Sequence, residues 1–484
     1  MILLTSSGFA IETSFSFKIF FNLFKEHLLS PDTKQSKNLS PVLNNKLLTI
    51  APTLQPKAVA ASSAVLAVFF KIRTFRLLSK LFNDFSALLT ASFFSALATV
   101  GQITIVGKQV YDMTGSELNL GLLGLAEFLP LALLSPFTGP IADRFDRRKV
   151  FSFALLAEAL ASFLLFLYVA SEPSSVLPIF GLIALFGVAR AFAMPASRAL
   201  PIDWAPDDVV ERVVALKSVA FQAGIIVGPA LFGFIFVAGA SFPYLAAVIS
   251  YLIANLLLLT VGPSSIKRLA TTGGRQAFRD ALEGLKFIRK SPVLYGAISL
   301  DLIAVLFGGA VALLPAIAED RLGVGAVGLG WLRAGVGIGA TIVAVTLSVR
   351  PLRRDIGKSL LTAVAVFGCG TIALGLSTNF VLAFVALMVL SGADAVSVYI
   401  RASLVPLATP EQMRGRVLAV EGVFIGASNE LGAVESGLTA AAFGLVGAIL
   451  FGGVGTLAVV VIWWRFFPAL RDVKDFSEVK PDSS

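Results

Sequence analysis

The sequence predicts an all-α membrane protein with twelve transmembrane helices in two pseudo-symmetric bundles of six. The 484 residues are 56% hydrophobic and 14% charged, whereas soluble domains carry about 45–50% apolar and about 25% charged residues. Apolar runs of roughly 20 residues, enough to cross a bilayer, recur along the chain. One long polar stretch divides these runs into two sets of six, and parts of the first set recur in the second.

Residues 1–70 differ in composition from the rest of the chain. They are rich in Ser, Asn and Lys, poor in acidic residues and interrupted by prolines, and their apolar run at 58–70 is too short to span a bilayer. We predict a poorly ordered, basic N-terminal extension. A disordered cytoplasmic segment, an organellar transit segment and an upstream stretch absent from the mature protein would all have this composition.

Each predicted bundle contains six spans. In the first bundle, at residues 71–262, the spans lie at about 85–107, 117–141, 149–170, 176–199, 211–237 and 241–261. In the second bundle, at residues 292–467, they lie at about 293–317, 326–349, 358–377, 380–404, 416–442 and 444–467. The remaining residues, 468–484, are predicted to form a polar cytoplasmic tail.

The linker at 263–291 is predicted to contain an amphipathic helix. Phe278, Leu282 and Leu285 recur at helical spacing, and basic residues surround them. Such a helix lies in the plane of a membrane surface with its apolar face inward. We therefore expect a helix on the cytoplasmic surface to join the two bundles.

Basic residues in the loops predict the orientation of the spans. Six of the seven residues at 143–149 are charged, and four of them are basic. Loops after spans 2, 6 and 8 are basic, whereas loops after odd-numbered spans carry few basic residues. Because Lys and Arg accumulate in cytoplasmic loops, both termini are expected in the cytoplasm. The ten basic and three acidic residues at 1–80 fit this topology, which we favour over nucleic-acid binding.

The chain lacks the residues of several common catalytic and metal sites. It contains one cysteine, Cys369, and one histidine, His27, which argues against a disulfide framework, a Cys- or His-ligated metal and a Ser-His-Asp triad. The segment Gly323–Gly328 matches G-x-G-x-x-G, but no strand precedes it. We predict neither an enzyme nor a bound cofactor or metal.

A constant offset relates the two bundles. Arg212 recurs as Arg416 and Gly228 recurs as Gly432, in each case 204 positions later. Parallel repeats of six spans are one known design of membrane transporters. Two such bundles can rock about a central site and open it to one side of the membrane and then to the other.

The loop between spans 2 and 3 resembles the signature of the major facilitator superfamily. The segment from Gly139 to Lys149 is similar to G-x-x-x-D-R-x-G-R-R-[KR], with Asp146 in place of the usual glycine. A second set of residues, in span 5, resembles the helix-packing motif G-x-x-x-G-P-x-x-G-G of drug/proton antiporters. These residues are Gly224, Gly228, Pro229 and Gly233.

Two further segments, Ala189–Ala196 and Arg414–Val420, resemble the enterobactin-exporter-like branch of bacterial drug and siderophore exporters. The resemblance implies a secondary active, proton-coupled exporter of amphipathic drugs or siderophore-like molecules in the bacterial inner membrane, functional as a monomer. Its partners would be the lipid bilayer, a small organic substrate and protons. The alternatives are an organellar or plasma-membrane metabolite transporter, working by uptake or exchange, and a membrane sensor that does not transport.

The resemblance also implies that the charged loop is a conformational switch. The residues that match the signature at this loop are Gly139, Asp143, Arg144, Arg147 and Arg148. In the superfamily the acidic residue contacts span 11 and holds one conformational state, and the arginines could pair with acids of other cytoplasmic loops. The alternative is that the basic residues only fix the orientation of the chain.

Six charged residues inside the spans are candidates for substrate binding or proton coupling. A charge at the centre of a membrane helix costs about 2.5–3.5 kcal/mol on insertion scales, so each charge needs a partner or a watery cavity. The candidates are Glu127, Arg190, Asp301, Arg333, Asp394 and Glu430.

Arg190 and Asp394 carry opposite charges and are 204 residues apart. One hypothesis is that they face each other across the central cavity. The alternative is a fixed ion pair within each half, with Arg401 as the partner of Asp394. A carboxyl group in a low-dielectric site can exchange a proton near neutral pH. The candidate proton carriers are Asp301, the first choice because its surroundings are apolar, and then Glu127 and Glu430.

Overall fold

The computed structural model describes residues 56–205, 209–262 and 274–479, and Leu81–Ser484 form one compact unit. Within the described ranges every regular element is a helix. Eleven of these helices are long and apolar enough to cross a membrane. The predicted all-α membrane fold is therefore confirmed. Most of the predicted N-terminal extension, at 1–55, lies outside the described residues.

The helices fall into two sets on either side of a linker helix, α7 (Gly274–Lys290). The first set is α1 (Pro56–Thr114), α2 (Glu117–Arg144), α3 (Arg147–Ala170), α4 (Leu177–Trp204), α5 (Val210–Ala238) and α6 (Phe242–Thr260). The second set is α8 (Pro292–Phe307), α9 (Gly325–Val349), α10 (Ile356–Leu376), α11 (Phe380–Leu407) and α12 (Glu411–Phe466). Helix α8 continues as irregular helical turns to Arg321.

The first and last helices are longer than one membrane crossing. The candidate span in α1 is Asp84–Thr114. Helix α12 has 56 residues, which would extend about 84 Å as one rod, but its backbone leaves the helical conformation at Gly444 (φ 76°, ψ 165°). The expected count of twelve spans depends on whether the parts of α12 before and after Gly444 cross the membrane separately.

Each set of helices has its own apolar core. Buried residues of α1–α6 form one cluster, and buried residues from α7 onwards form two others. The two halves meet where α2 packs against α12 and where α5 packs against α9. In the repeat, α2 corresponds to α9, and α5 corresponds to the first part of α12. The pseudo-symmetry that the repeat predicts therefore relates the two contacts to each other.

One contact within each half recurs at equivalent positions. In the first half, the Lys217 ammonium of α5 donates a hydrogen bond to the Ser197 hydroxyl of α4 at 3.0 Å. The positions 204 residues later hold Arg401 on α11 and Glu421 on α12, which form an ion pair at 3.7 Å. The same two positions of the repeat are in contact in both halves, whereas the groups that meet there differ.

The two ends of the bundle differ in how closely the halves approach. We call the end that carries α7 and the turn between α2 and α3 the linker end. We call the opposite end the gate end. At the gate end, a Cβ at Gly121 would lie 2.7 Å from the Ala433 carbonyl, so α2 and α12 are in tight contact. At the linker end, Gly139 and Gly415 have no described atom within 4 Å of a Cβ position. These glycine positions show a tight contact between the halves at the gate end.

The linker helix α7 is docked on the second half. Leu285 and Ile288 pack into its apolar core, and Arg416 of α12 forms ion pairs with Asp280 at 3.1 Å and Glu283 at 2.5 Å. Of the predicted apolar face, Leu282 is 44% exposed, and the side chain of Phe278 lies outside the described residues. The helix is present as predicted, but its buried face is rotated towards Leu285 and Ile288.

The chain after α12 is also docked. Leu470 and Val473 are buried, and the Gly357 amide at the start of α10 donates a hydrogen bond to the Val473 carbonyl at 3.0 Å. The predicted polar tail therefore begins with an apolar anchor at the linker end.

Candidate functional site

A cavity of about 430 Å³ lies between the two halves. Residues of both halves line it, and its walls combine apolar side chains with seven charged ones. These are the six predicted candidates Glu127, Arg190, Asp301, Arg333, Asp394 and Glu430, together with Arg401. The structure thus brings all six candidates to one site.

In the first half, Arg190 of α4 forms an ion pair with Glu127 of α2. Gly187, one helical turn before Arg190, makes this possible, because it lets α4 approach the backbone carbonyl of Glu127 more closely than a side chain would allow. Glu158 of α3 is also buried, with 2% of its surface exposed. Its Oε2 has no hydrogen-bond partner among the described atoms.

In the second half, Arg401 joins three helices. Its guanidinium is 4% exposed and contacts Asp301 of α8 at 2.7 Å and Glu421 of α12 at 3.7 Å. The hypothesis that Arg190 pairs with Asp394 across the cavity is not met in this structure, because Arg190 is bound to Glu127 instead. The alternative partner for Asp394, Arg401, is bound to Asp301.

Three charged residues of the cavity have no ion pair among the described residues: Arg333, Asp394 and Glu430. The Nε of Arg333 also lacks a hydrogen-bond partner there. Glu430 lies against α2, since a Cβ at Gly124 would be 2.5 Å from its carboxylate. The cavity therefore offers both positive and negative groups that a ligand or a proton can neutralise. The described residues contain no group of His, Cys, Asp or Glu that could hold a metal ion.

Residues of the charged loop at 139–149 contact other helices of the first half. Asp146, in place of the usual glycine, caps α3 by accepting a hydrogen bond from the Arg148 amide at 3.0 Å. Arg147 pairs with Asp203 at the end of α4 at 2.6 Å, and the Arg148 guanidinium donates to the Val261 carbonyl after α6. Arg144 is exposed and lies over the ring of Phe145.

No contact is described for the other two residues of the signature, Gly139 and Asp143. Gly139 has open space around it, and the side chain of Asp143 lies outside the described residues. The role of this loop as a conformational switch therefore stays a prediction.

The glycine motif of α5 lies at two helix crossings. A Cβ at Gly224 or Gly228 would be 2.5 Å from a backbone carbonyl of α1, at Phe93 or Leu97 respectively. Gly233 faces the other half, where its Cβ would be 2.5 Å from the Ala326 carbonyl of α9. The carbonyl of Pro229 lies in the same crossing, against Gly330 of α9. The motif thus allows α5 to touch its own half and the opposite half.

We expect Gly233→Leu to lower the free energy of unfolding by about 1–3 kcal/mol, the usual cost of overpacking, because the added side chain meets backbone on α9. Thermal unfolding in detergent measures the effect. Gly181→Leu is the matched control, since Gly181 has no described atom within 4 Å of its Cβ position. Equal stability of the two variants would contradict a tight crossing at Gly233.

A second charged cluster, at the gate end, was missed by the sequence analysis. Lys108 of α1, whose side chain is 6% exposed, forms ion pairs with Asp112 on its own helix and with Glu319 of the second half, the latter at 3.0 Å. Tyr111 donates a hydrogen bond to Asp320. The Lys108 ammonium also lies 5.7 Å from the ring centre of Phe236. We call these contacts between α1 and residues 319–320 the gate cluster.

Two like halves of membrane helices, with a charged cavity between them that is closed at one end, define a membrane transporter. The chain belongs to the transmembrane secretion effector family of the major facilitator superfamily, whose family model matches residues 78–481. The resemblance found in the loop and span 5 motifs is thereby confirmed. This family consists of transporters and not of enzymes.

Three bacterial relatives show how distant the similarity is. The uncharacterized MFS-type transporter YfiS of Bacillus subtilis is 26% identical over 308 residues, 62% of this chain and 70% of that protein. The multidrug efflux pump Tap of Mycolicibacterium fortuitum is 25% identical over 395 residues, which are 77% of this chain and 93% of that protein. The enterobactin exporter EntS of Escherichia coli is 26% identical over 408 residues, which are 79% of this chain and 93% of that protein.

Solved structures of other transporters share the fold. A POT family transporter in complex with a thioalcohol conjugated peptide has a TM-score of 0.63 at 12% identity, over 80% of this chain and 96% of that one. A bacterial homolog of the human lysosomal transporter Spinster has a TM-score of 0.60 at 15% identity, over 84% and 99%. These identities show a common fold alone.

Proposed function

We propose that this protein is a secondary active exporter that moves amphipathic small organic molecules out of the cell in exchange for protons. The observation that carries the proposal is the cavity, where apolar walls surround unpaired charges of both signs. Such walls suit the apolar part of a ligand, and a few placed charges orient its polar part. The similarity to the multidrug efflux pump Tap and the enterobactin exporter EntS supports export as the direction.

The transport cycle that we propose is alternating access between the two halves. In the present conformation the gate cluster and the tight glycine contacts hold the gate end closed. In the opposite conformation Lys108 and Glu319 separate, and so do Tyr111 and Asp320, while the linker end closes. The Arg190–Glu127 and Arg401–Asp301 pairs lie within single halves, so they can persist while the halves rock.

We further propose that the linker end faces the cytoplasm of a bacterium, with twelve spans and both termini on that side. The basic residues at 143–149 and in α7 support this orientation, since Lys and Arg accumulate on the cytoplasmic side. The cavity would then receive substrate from the cytoplasm or from the membrane. The protein is proposed to work as a monomer, because each half supplies one wall of the cavity.

Among the candidate proton carriers we favour Glu430. Asp301 and Glu127 are held in ion pairs, so protonation of either would break a contact, whereas Glu430 has none among the described residues. We expect Glu430→Gln to abolish proton-driven efflux from vesicles while substrate equilibration down its own gradient continues. Asp301→Asn serves for comparison. Undiminished proton-driven efflux in Glu430→Gln would remove Glu430 as the carrier and return Asp301 to first place.

Export itself can be tested in a bacterium that lacks its main efflux pumps. Expression of the protein is expected to raise resistance to amphipathic drugs and to lower dye retention, and a protonophore is expected to remove both effects. An unchanged phenotype across many compounds would count against multidrug export. Energy-dependent accumulation of a compound would instead favour uptake.

A further inference from the structure

A groove of about 770 Å³ lies on the second half, between α9, α10 and α11, outside the central cavity. Its lining is apolar over most of its length, with exposed Ile342, Val385 and Val389 at the rim. The approach of α9 to α11 is close here because Gly339 and Gly392 have no side chains. Lys358, paired with Asp355 at 3.8 Å, marks the mouth of the groove at the linker end.

A narrow space of about 10 Å³ lies between this groove and the central cavity. Ala363 and Ala393 line both the groove and the narrow space. Residues on its other side also line the central cavity: Asp301, Val305, Phe367 and Asp394. We call this narrow space the neck. Its volume is about the minimum that one water molecule needs, so the neck is narrow, and it shares lining residues with both the groove and the cavity.

The charges at the inner end of the neck favour a cation. Two carboxylates, those of Asp301 and Asp394, line the neck, and none of its described lining residues is basic. Arg401 contacts Asp301 and Glu421, and Asp394 has no ion pair among the described residues. An additional positive group near Asp394 would therefore be attracted in this low-dielectric site. A molecule with an apolar body and one cationic group matches the groove and the neck together.

We propose that the groove and neck form a lateral entry site through which amphipathic organic cations dissolved in the bilayer reach the central cavity. The apolar body lies in the groove, and the cationic group passes Ala363 and Ala393 to meet Asp394. Phe367 lines both the neck and the cavity, and its ring lies against Gly308, so we expect this ring to move when the neck widens. This inference rests on the proposed function of the central cavity.

Thiol labelling in liposomes tests the entry site directly. The single cysteine allows a clean background, Cys369→Ser, to which Ala393→Cys is added. We expect a bilayer-soluble alkyl maleimide to label this cysteine and tetraphenylphosphonium to slow the labelling about tenfold, the factor that corresponds to 1.4 kcal/mol. Val381→Cys, exposed on α11 outside the groove, is the control that the cation should not protect.

Asp394→Asn in the Ala393→Cys background is expected to remove the protection by tetraphenylphosphonium. Labelling of Ala393→Cys by a charged, water-soluble reagent alone would overturn the proposal, because the neck would then be reached only from the cavity. Protection that persists in Asp394→Asn would overturn the assignment of Asp394 as the group that meets the cation.

Transport by Ala393→Leu, which fills the neck, gives an independent test. We expect it to lose efflux of a cationic dye confined to the membrane, trimethylammonium-diphenylhexatriene, while efflux of the water-soluble cation ethidium continues; Val381→Leu should export both. Equal efflux of both dyes by Ala393→Leu and by the unaltered protein would overturn the entry site, as would equal loss of both. An unaltered protein that exports neither dye would contradict the proposed function instead.

Discussion

Replacing Arg401 with methionine is expected to lower the free energy of unfolding by about 3–5 kcal/mol, the usual cost of removing one partner of a buried ion pair. The guanidinium contacts carboxylates on two other helices, Asp301 on α8 and Glu421 on α12. Methionine occupies a similar volume, but it leaves both carboxylates without a counter-charge in a low-dielectric site. Thermal unfolding of the purified protein in detergent measures the loss.

Arg333→Met is the matched control for this experiment. It removes the same side chain from the same cavity, but Arg333 has no ion pair among the described residues, so we expect nearly unaltered stability. Arg401→Lys keeps the charge without the planar guanidinium that reaches two carboxylates. Its loss of stability should lie between those of Arg333→Met and Arg401→Met. Equal thermal midpoints for Arg401→Met and Arg333→Met would show that the ion pair does not hold the three helices together.

Lys108→Met is expected to shift the protein towards a conformation that is open at the gate end. The buried ammonium joins the two halves through Glu319 at 3.0 Å, and a hydrogen bond to a charged group contributes about 1.5–3 kcal/mol. Loss of this contact should raise the ratio of open to closed molecules about 10- to 100-fold. The measurement is the rate at which a membrane-impermeant thiol reagent, added from the gate end, labels Val311→Cys in a Cys369→Ser background, since Val311 lines the cavity.

Arg471→Met controls for the loss of an ion pair as such. Arg471 pairs with Asp472 at 2.7 Å on the exposed surface, and exposed pairs contribute about 0–1 kcal/mol. Its labelling rate at Val311→Cys should equal that of the unaltered protein. If Lys108→Met also leaves the rate unchanged, the gate cluster does not decide which end of the cavity is open.

The helices and the contents of the cavity could be predicted from the sequence because the bilayer restricts both. Apolar runs of spanning length must form helices, and a charge within such a run must face a partner or a cavity. Glu127 and Asp394 could therefore be assigned to one site before their positions were known. The irregular end of α8 could not be anticipated in this way.

The pairing of the charges could not be predicted, because it depends on distances between helices. Arg190 reaches Glu127 since Gly187 lets α4 approach α2, and nothing in the spacing of the residues specifies that approach. The repeat suggested Asp394 as a partner of Arg190, but a repeat relates positions and does not state which side chains touch.

The gate cluster was overlooked because its residues lie at the ends of predicted spans, where charges normally belong to loops. Lys108 and Asp112 are four residues apart on α1, a spacing that places them on one face. Glu319 and Asp320 follow the predicted end of span 7, but irregular turns carry the helical chain on to Arg321. An acidic pair beyond one span and a lysine near the end of another are the signal that could have indicated a contact.

The contact between Ser197 and Lys217 and its counterpart between Arg401 and Glu421 occupy the same two positions of the repeat. An ammonium meets a hydroxyl in the first half, whereas a guanidinium meets a carboxylate in the second. The two halves thus join the same pair of helices through different charges. A substitution at equivalent positions is therefore expected to have unequal effects in the two halves.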